Sequence, residues 1–84
     1  MKYNLEVKES VLKTLKRLPR LDQIRIAKVI KSLTDNPRPP NCLKLADSPY
    51  YRIRTGDYRI IYDIQDDKLI ILILKVGHRK DVYR

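Results

Sequence analysis

Little in this chain would tie it to an oxidising compartment, a metal or a bilayer. There is one cysteine, Cys42, in 84 residues, so no internal disulfide framework exists and nothing speaks for secretion. Cys42 follows Pro39-Pro40-Asn41 with no triad partners beside it, and reads as a small packing residue. One histidine and no carboxylate or His/Cys cluster leave no metal-ligand set, so neither a metal nor another cofactor is expected. The start, Met1-Lys2-Tyr3-Asn4, is charged and polar, with no signal-type apolar region. No apolar run approaches the ~20 residues a membrane helix needs. These absences point to a cytoplasmic protein with no membrane partner. Internal repeats and low-complexity segments are lacking too.

Acidic residues are also scarce: 10 Asp+Glu stand against 19 Lys+Arg, for a net charge of +9. That excess favours a nucleic acid, an anionic membrane or an acidic protein as partner; a merely soluble basic protein is the bland alternative. A chain of 84 residues makes one domain, 1–84. At that size only roughly 60–65% of the unfolded surface is buried, which leaves little room for a deep pocket.

Tyr3, Leu5 and Val7 alternate with polar residues, the mark of a short strand. From about Glu9 the period changes: Val11, Leu12, Leu15 and Leu18 fall on one helical face. Pro19 ends that helix or opens the next, whose apolar set is Leu21, Ile24, Ala27, Ile30 and Leu33, widened by Ile26 and Val29. Asp22 suits the dipole of its first turn. Asn36-Pro37-Arg38-Pro39-Pro40 stops it. Residues 37 to 49 read as a connector, followed by three strands at about 50–54, 57–65 and 68–76. The run Leu69 to Leu74 is apolar throughout, as in a strand covered on both faces. The expected fold is α+β, in the order βααβββ, with two N-terminal helices packed on one face of a small, mainly antiparallel sheet.

Arginines alternate through the first hairpin, Tyr51-Arg52-Ile53-Arg54-Thr55-Gly56-Asp57-Tyr58-Arg59. With Thr55-Gly56 as the turn, Arg54 faces Asp57 and Arg52 faces Arg59. Tyr51, Ile53, Tyr58, Ile60 and Tyr62 then point to the helices, and Arg52, Arg54 and Arg59 to the other side. A ribose-phosphate backbone could lie across such a row; a solvated charged face is the alternative. With Asp66-Asp67 as the next tip, Ile70, Leu72 and Leu74 join Ile61 on the arginine face, an apolar strip beside a basic one that suits a protein partner. The tail Gly77-His78-Arg79-Lys80-Asp81-Val82-Tyr83-Arg84 follows directly. By itself a lone histidine in a basic tail is more often a surface residue than a catalyst.

Taken together, Tyr51-Arg52-Ile53-Arg54, Gly56-Asp57-Tyr58-Arg59-Ile60-Ile61-Tyr62, the apolar strand and Gly77 to Tyr83 resemble the RelE/ParE toxin superfamily, on its RelE branch. Leu15-Lys16-Arg17-Leu18-Pro19 extends the likeness over nearly the whole chain. The resemblance implies the toxin of a type II toxin–antitoxin pair: an endoribonuclease that enters the ribosomal A site, cuts mRNA without a metal and inhibits translation. The ribose 2′-hydroxyl attacks the adjacent phosphate. The partners implied are a cognate antitoxin, the ribosome and mRNA.

Carried over by motif, the basic strand positions are Arg52 and Arg54, the arginine after the turn is Arg59, and the tail supplies Arg79 and Tyr83. Arg54, Arg59, His78, Arg79 and Tyr83 are thus the catalytic candidates, and Arg52, Arg54 and Lys80 the RNA-binding ones. Arg59 and Arg79 suit the phosphate through forked hydrogen bonds, and Tyr83 can stack on a base. The better-known RelE site has lysines where this chain has Arg52 and Arg54. Arginine stays protonated and is a poor general base, so His78, with Lys80 behind it, becomes the candidate for proton transfer. Two other readings stand beside this one: a ParE-like poison of DNA gyrase, and a non-catalytic RNA-binding module derived from a toxin.

Overall fold

Residues 2–78 are described in the computed structural model, with the elements β1 (Asn4–Val7), α1 (Glu9–Lys16), α2 (Arg20–Leu33), β2 (Cys42–Lys44), β3 (Tyr51–Thr55), β4 (Tyr58–Gln65) and β5 (Ile70–His78). The strands form one sheet in the order β1-β5-β4-β3-β2. All neighbours are antiparallel except β1 and β5, which run parallel. The α+β architecture is the expected one, with the helices against one sheet face. Ile53, Ile60, Tyr62, Ile71, Ile73 and Val76 come from the sheet to meet Val11, Ile26, Ile30 and Leu33 from the helices, and all are buried. At about 25 cal/mol per Å² of apolar surface removed from water, this layer is the main stabilising contribution.

Several local expectations are corrected. β2 lies inside the stretch read as a connector. It is three residues long, and only its antiparallel pairing with β3 defines it. The buried stripe of α2 is Ile26, Ile30 and Leu33, whereas Leu21 and Ile24 are exposed. The helix is apolar over more than one face, so periodicity alone did not choose between them. Leu12 of α1 is likewise exposed, while Leu15 and Leu18 pack against the core. β5 begins at Ile70 because Asp66–Leu69 form the loop, in which Leu69 has φ 54°. β5 lies between β1 and β4. Ile71 and Ile73 are fully buried, but Ile70, Leu72 and Leu74 on its other face are only half-buried.

The connector is fastened at its start. Buried Tyr62 donates to the Pro37 carbonyl at 2.7 Å, and Tyr51 stacks on Tyr62 with centroids 5.9 Å apart. Arg38 lies over the Tyr51 ring and pairs with Asp66 at 2.9 Å, while the Tyr3 hydroxyl donates to the same carboxylate. The Arg38 hydrogen bond, and then that of Tyr3, hold the Asp66 carboxyl below its ordinary value. Burial pushes the Tyr62 phenol well up. Among the described residues, no helix is long and apolar enough to cross a membrane.

Candidate nucleic-acid interface

The hairpin of β3 and β4 turns on Gly56-Asp57, with Thr55 opposite Tyr58. Gly56 has φ +59° at the first central position, as a II′ turn requires. Thr55 is β-branched and belongs to the strand. The register therefore differs from the one expected around Thr55-Gly56. Arg54 faces Arg59, not Asp57, and Arg52 faces Ile61, not Arg59. Each partner moves by two residues, and two is the side-chain period of a strand, so every face assignment survives. Tyr51, Ile53, Tyr58, Ile60 and Tyr62 belong to the core or pack on it. Arg52, Arg54 and Arg59 share the opposite face.

Across that face the register draws two adjacent rows. One is Leu43, Arg52, Ile61 and Lys75, from β2, β3, β4 and β5 in turn; beside it Arg54 faces Arg59, which faces Gly77. Neighbouring strands lie ~4.8 Å apart and the rows ~7 Å apart. Four cationic side chains therefore occupy neighbouring positions, with Arg54 and Lys75 exposed and Arg52 and Arg59 half-buried. Gly77 brings no side chain to the row of Arg54 and Arg59.

Lys75 is the residue that the sequence reading missed. A bulge lies between Ile61 and Tyr62: Ile61 faces Lys75 while Tyr62 faces Ile73, leaving Leu74 as the extra residue. Ile73 and Val76 can then both point into the core although they are three apart, and both are buried. Without the bulge, strict alternation would put Lys75 inside and Val76 outside. The signal was there, since a lysine is almost never fully buried. The apolar run before it gives no alternation from which to place the irregularity.

The apolar strip is where it was expected: Ile61, Ile70, Leu72 and Leu74 are half-buried on the side away from the helices. His78 is not on that side. It faces Tyr58 across β4 and β5, and the two rings meet edge to face at 5.9 Å. Both line a cleft of about 230 Å³ with Asp22, Arg25, Thr55, Gly56 and Asp57, between the first turns of α2 and the hairpin turn. Tyr58 donates to Asp22 at 3.3 Å, and burial, then Asp22, raises its phenol. The structure thus brings Arg52, Arg54 and Arg59 together with Lys75 and sets His78 on the helix side of the sheet. Arg79, Lys80 and Tyr83 lie outside the described residues.

The chemistry of the face is that of an anion grip. Planar guanidiniums at neighbouring positions suit the oxygens of a phosphodiester. Like charges held opposite each other have an electrostatic cost that a bound polyanion would relieve. Among the described residues, no group of three or more His, Cys, Asp or Glu side chains could hold a metal ion.

Residues 5–83 match the model of a family described as the ParE toxin of the type II toxin–antitoxin system parDE. A RelE toxin of Methanocaldococcus jannaschii is 33% identical over 88 residues, spanning 100% of this chain and 98% of its own length. The mRNA interferase toxin RelE of Escherichia coli K12 is 25% identical, over 95% of this chain and 86% of its own. The archaeal RelE–RelB complex of Pyrococcus horikoshii contains a chain that superposes with a TM-score of 0.86 at 31% identity, covering 98% of this chain and 100% of that one. The E. coli RelE toxin, as a mutant in the free state, gives 0.82 at 26% identity, over 99% and 90% of the two chains. This chain belongs to the RelE/ParE superfamily of toxins of type II toxin–antitoxin systems.

Proposed function

We propose that this toxin is a ribosome-dependent mRNA endoribonuclease that cuts in the A site by attack of the ribose 2′-hydroxyl on the adjacent phosphate, and that a cognate antitoxin of the RelB kind restrains it. The observation that carries the reading is the opposed pair Arg54 and Arg59, flanked by Arg52 and Lys75 on one sheet face. The attack builds negative charge on a phosphorane, and preorganised cations at that point lower the barrier. Arg54 and Arg59 are assigned to the phosphorane, and Arg52 and Lys75 to the RNA backbone. Arg79, Lys80 and Tyr83 complete the set from the tail, with Tyr83 stacking on a base. The half-buried strip of Ile61, Ile70, Leu72 and Leu74 is the surface proposed for the antitoxin.

Proton transfer to and from the ribose and the leaving oxygen still needs a carrier, which arginine does not provide. Lys80 of the tail is the proposed group, because His78 packs on Tyr58 on the helix side of the sheet, away from the arginines. Cleavage should therefore fall in Lys80→Gln and survive in His78→Gln.

Action on DNA gyrase is the second reading, favoured by the ParE description of the matching family. Toeprinting on ribosomes with a defined codon in the A site separates the two. A cut within that codon, lost in Arg54→Gln, supports the nuclease. Intact message together with gyrase-dependent DNA breaks supports the second reading, and binding without either activity a non-catalytic module.

A further inference from the structure

Beside the arginine row lies a groove of about 330 Å³, lined by Pro40, Asn41, Cys42, Leu43, Arg52 and Arg54. It exists because β2 pairs with β3. Leu43 is directly opposite Arg52 and so shares its face, and one residue earlier Cys42 faces Ile53 and packs on the core. Leu43 is 56% exposed, a large apolar side chain left in water at the edge of a basic surface. Pro40 and Asn41 are exposed as well. The groove therefore combines an apolar floor, an amide with both a donor and an acceptor, and two guanidiniums along one side.

That combination matches a nucleotide rather than a bare phosphate. A base offers a flat apolar face and an edge of donors and acceptors, with its phosphate a short step away. We infer that this groove is a nucleobase subsite: the base next to the gripped phosphate lies on Leu43 and Pro40, Asn41 reads its edge, Arg54 reaches that phosphate and Arg52 the backbone beside it. The inference rests on the endoribonuclease reading and adds to it the part of the surface that sets base preference. Charge decides the occupant. A peptide would have to be acidic to lie along Arg52 and Arg54, whereas every nucleotide brings its own negative charge.

The test uses ribosomes programmed with messages that differ in one base of the A-site codon. Wild type should cut them with different kcat/KM values. In Asn41→Ala and Leu43→Ser the ratio between the best and worst codon should shrink at least about fivefold, the lower end of what a paired base edge contributes. Arg54→Gln should slow all codons by one common factor. A second readout needs no cleavage: a message with a 2′-O-methyl at the attacking ribose and 2-aminopurine as the neighbouring base should change fluorescence with wild type and much less with Leu43→Ser. Both substituted side chains are exposed, and a circular dichroism melt checks that the fold is kept.

Unchanged codon ratios and unchanged fluorescence responses in the variants, with wild type still cutting, overturn the subsite alone. Failure of wild type to cut any codon overturns the nuclease reading and the subsite with it. Loss of antitoxin binding in Leu43→Ser with the base preference intact makes the groove a protein-docking surface and also overturns the inference.

Discussion

The cross-strand pair Arg54 and Arg59 should make this fold less stable than it could be, and a double-mutant cycle can measure by how much. Opposed residues have Cβ atoms ~5 Å apart. With the guanidiniums splayed to ~8 Å, the repulsion is ~0.5 kcal/mol in a water-like dielectric. Arg54 is exposed, so salt screens this: at 0.01 M the Debye length of ~30 Å leaves most of it, and at 1 M, where it is ~3 Å, almost none remains. Arg52, two positions along the same strand and ~7 Å away, adds a second repulsion of similar size. Arg54→Thr should therefore stabilise the protein by ~0.5–1 kcal/mol at low salt, which for a chain of this size raises Tm by roughly 2–8 °C. Threonine also favours strands, and only the salt-dependent part of the gain is electrostatic. Melts of wild type, Arg54→Thr, Arg59→Thr and the double variant at 0.01 M and 1 M salt isolate the pairwise term. The expected coupling is repulsive, a few tenths of a kcal/mol at low salt and near zero at high salt. An attractive coupling, or one that ignores salt, would refute both the register and the reasoning. If the prediction holds, the variant proposed to lose cleavage is the more stable one, because the arginine face is held together against its own charge.

Three other outcomes follow from the same structure. Tyr62→Phe removes the hydroxyl that satisfies the Pro37 carbonyl and should destabilise by ~1–2 kcal/mol, read as a lower urea midpoint at unchanged m. Asp66 is held below its ordinary value by Arg38 and then Tyr3, so its stabilising effect is complete above the unfolded-state value and is lost as pH falls through the lowered one. Asp66→Asn should flatten stability against pH on the acid side of about pH 4 and leave the slope at neutral pH alone. If Arg52, Arg54, Arg59 and Lys75 each meet a phosphate, log affinity for single-stranded RNA should fall with a slope of about −2.8 per log salt, and Lys75→Gln should bring it to about −2.1; an unchanged slope would remove Lys75 from the interface.

The linear sequence determined the class of fold and the sorting of the hairpin into two faces. Alternation in β3 and β4 needs no knowledge of the turn beyond its parity, which is why a turn placed one residue early still left Arg52, Arg54 and Arg59 together. The charge excess and the resemblance of the C-terminal motifs pointed to the same surface. Tertiary structure decided what local pattern could not. A three-residue strand such as β2 has no period of its own and exists only by pairing with β3, so Asn41 and Leu43 could not be placed beside the arginines. The uniformly apolar run of β5 carries no phase, so the bulge that turns Lys75 outward was invisible. A helix apolar on more than one side, like α2, takes its buried face from what packs on it. His78 follows the same rule. Its neighbour Gly77 lies opposite Arg59, but one register position on, against Tyr58, puts His78 on the other side of the sheet.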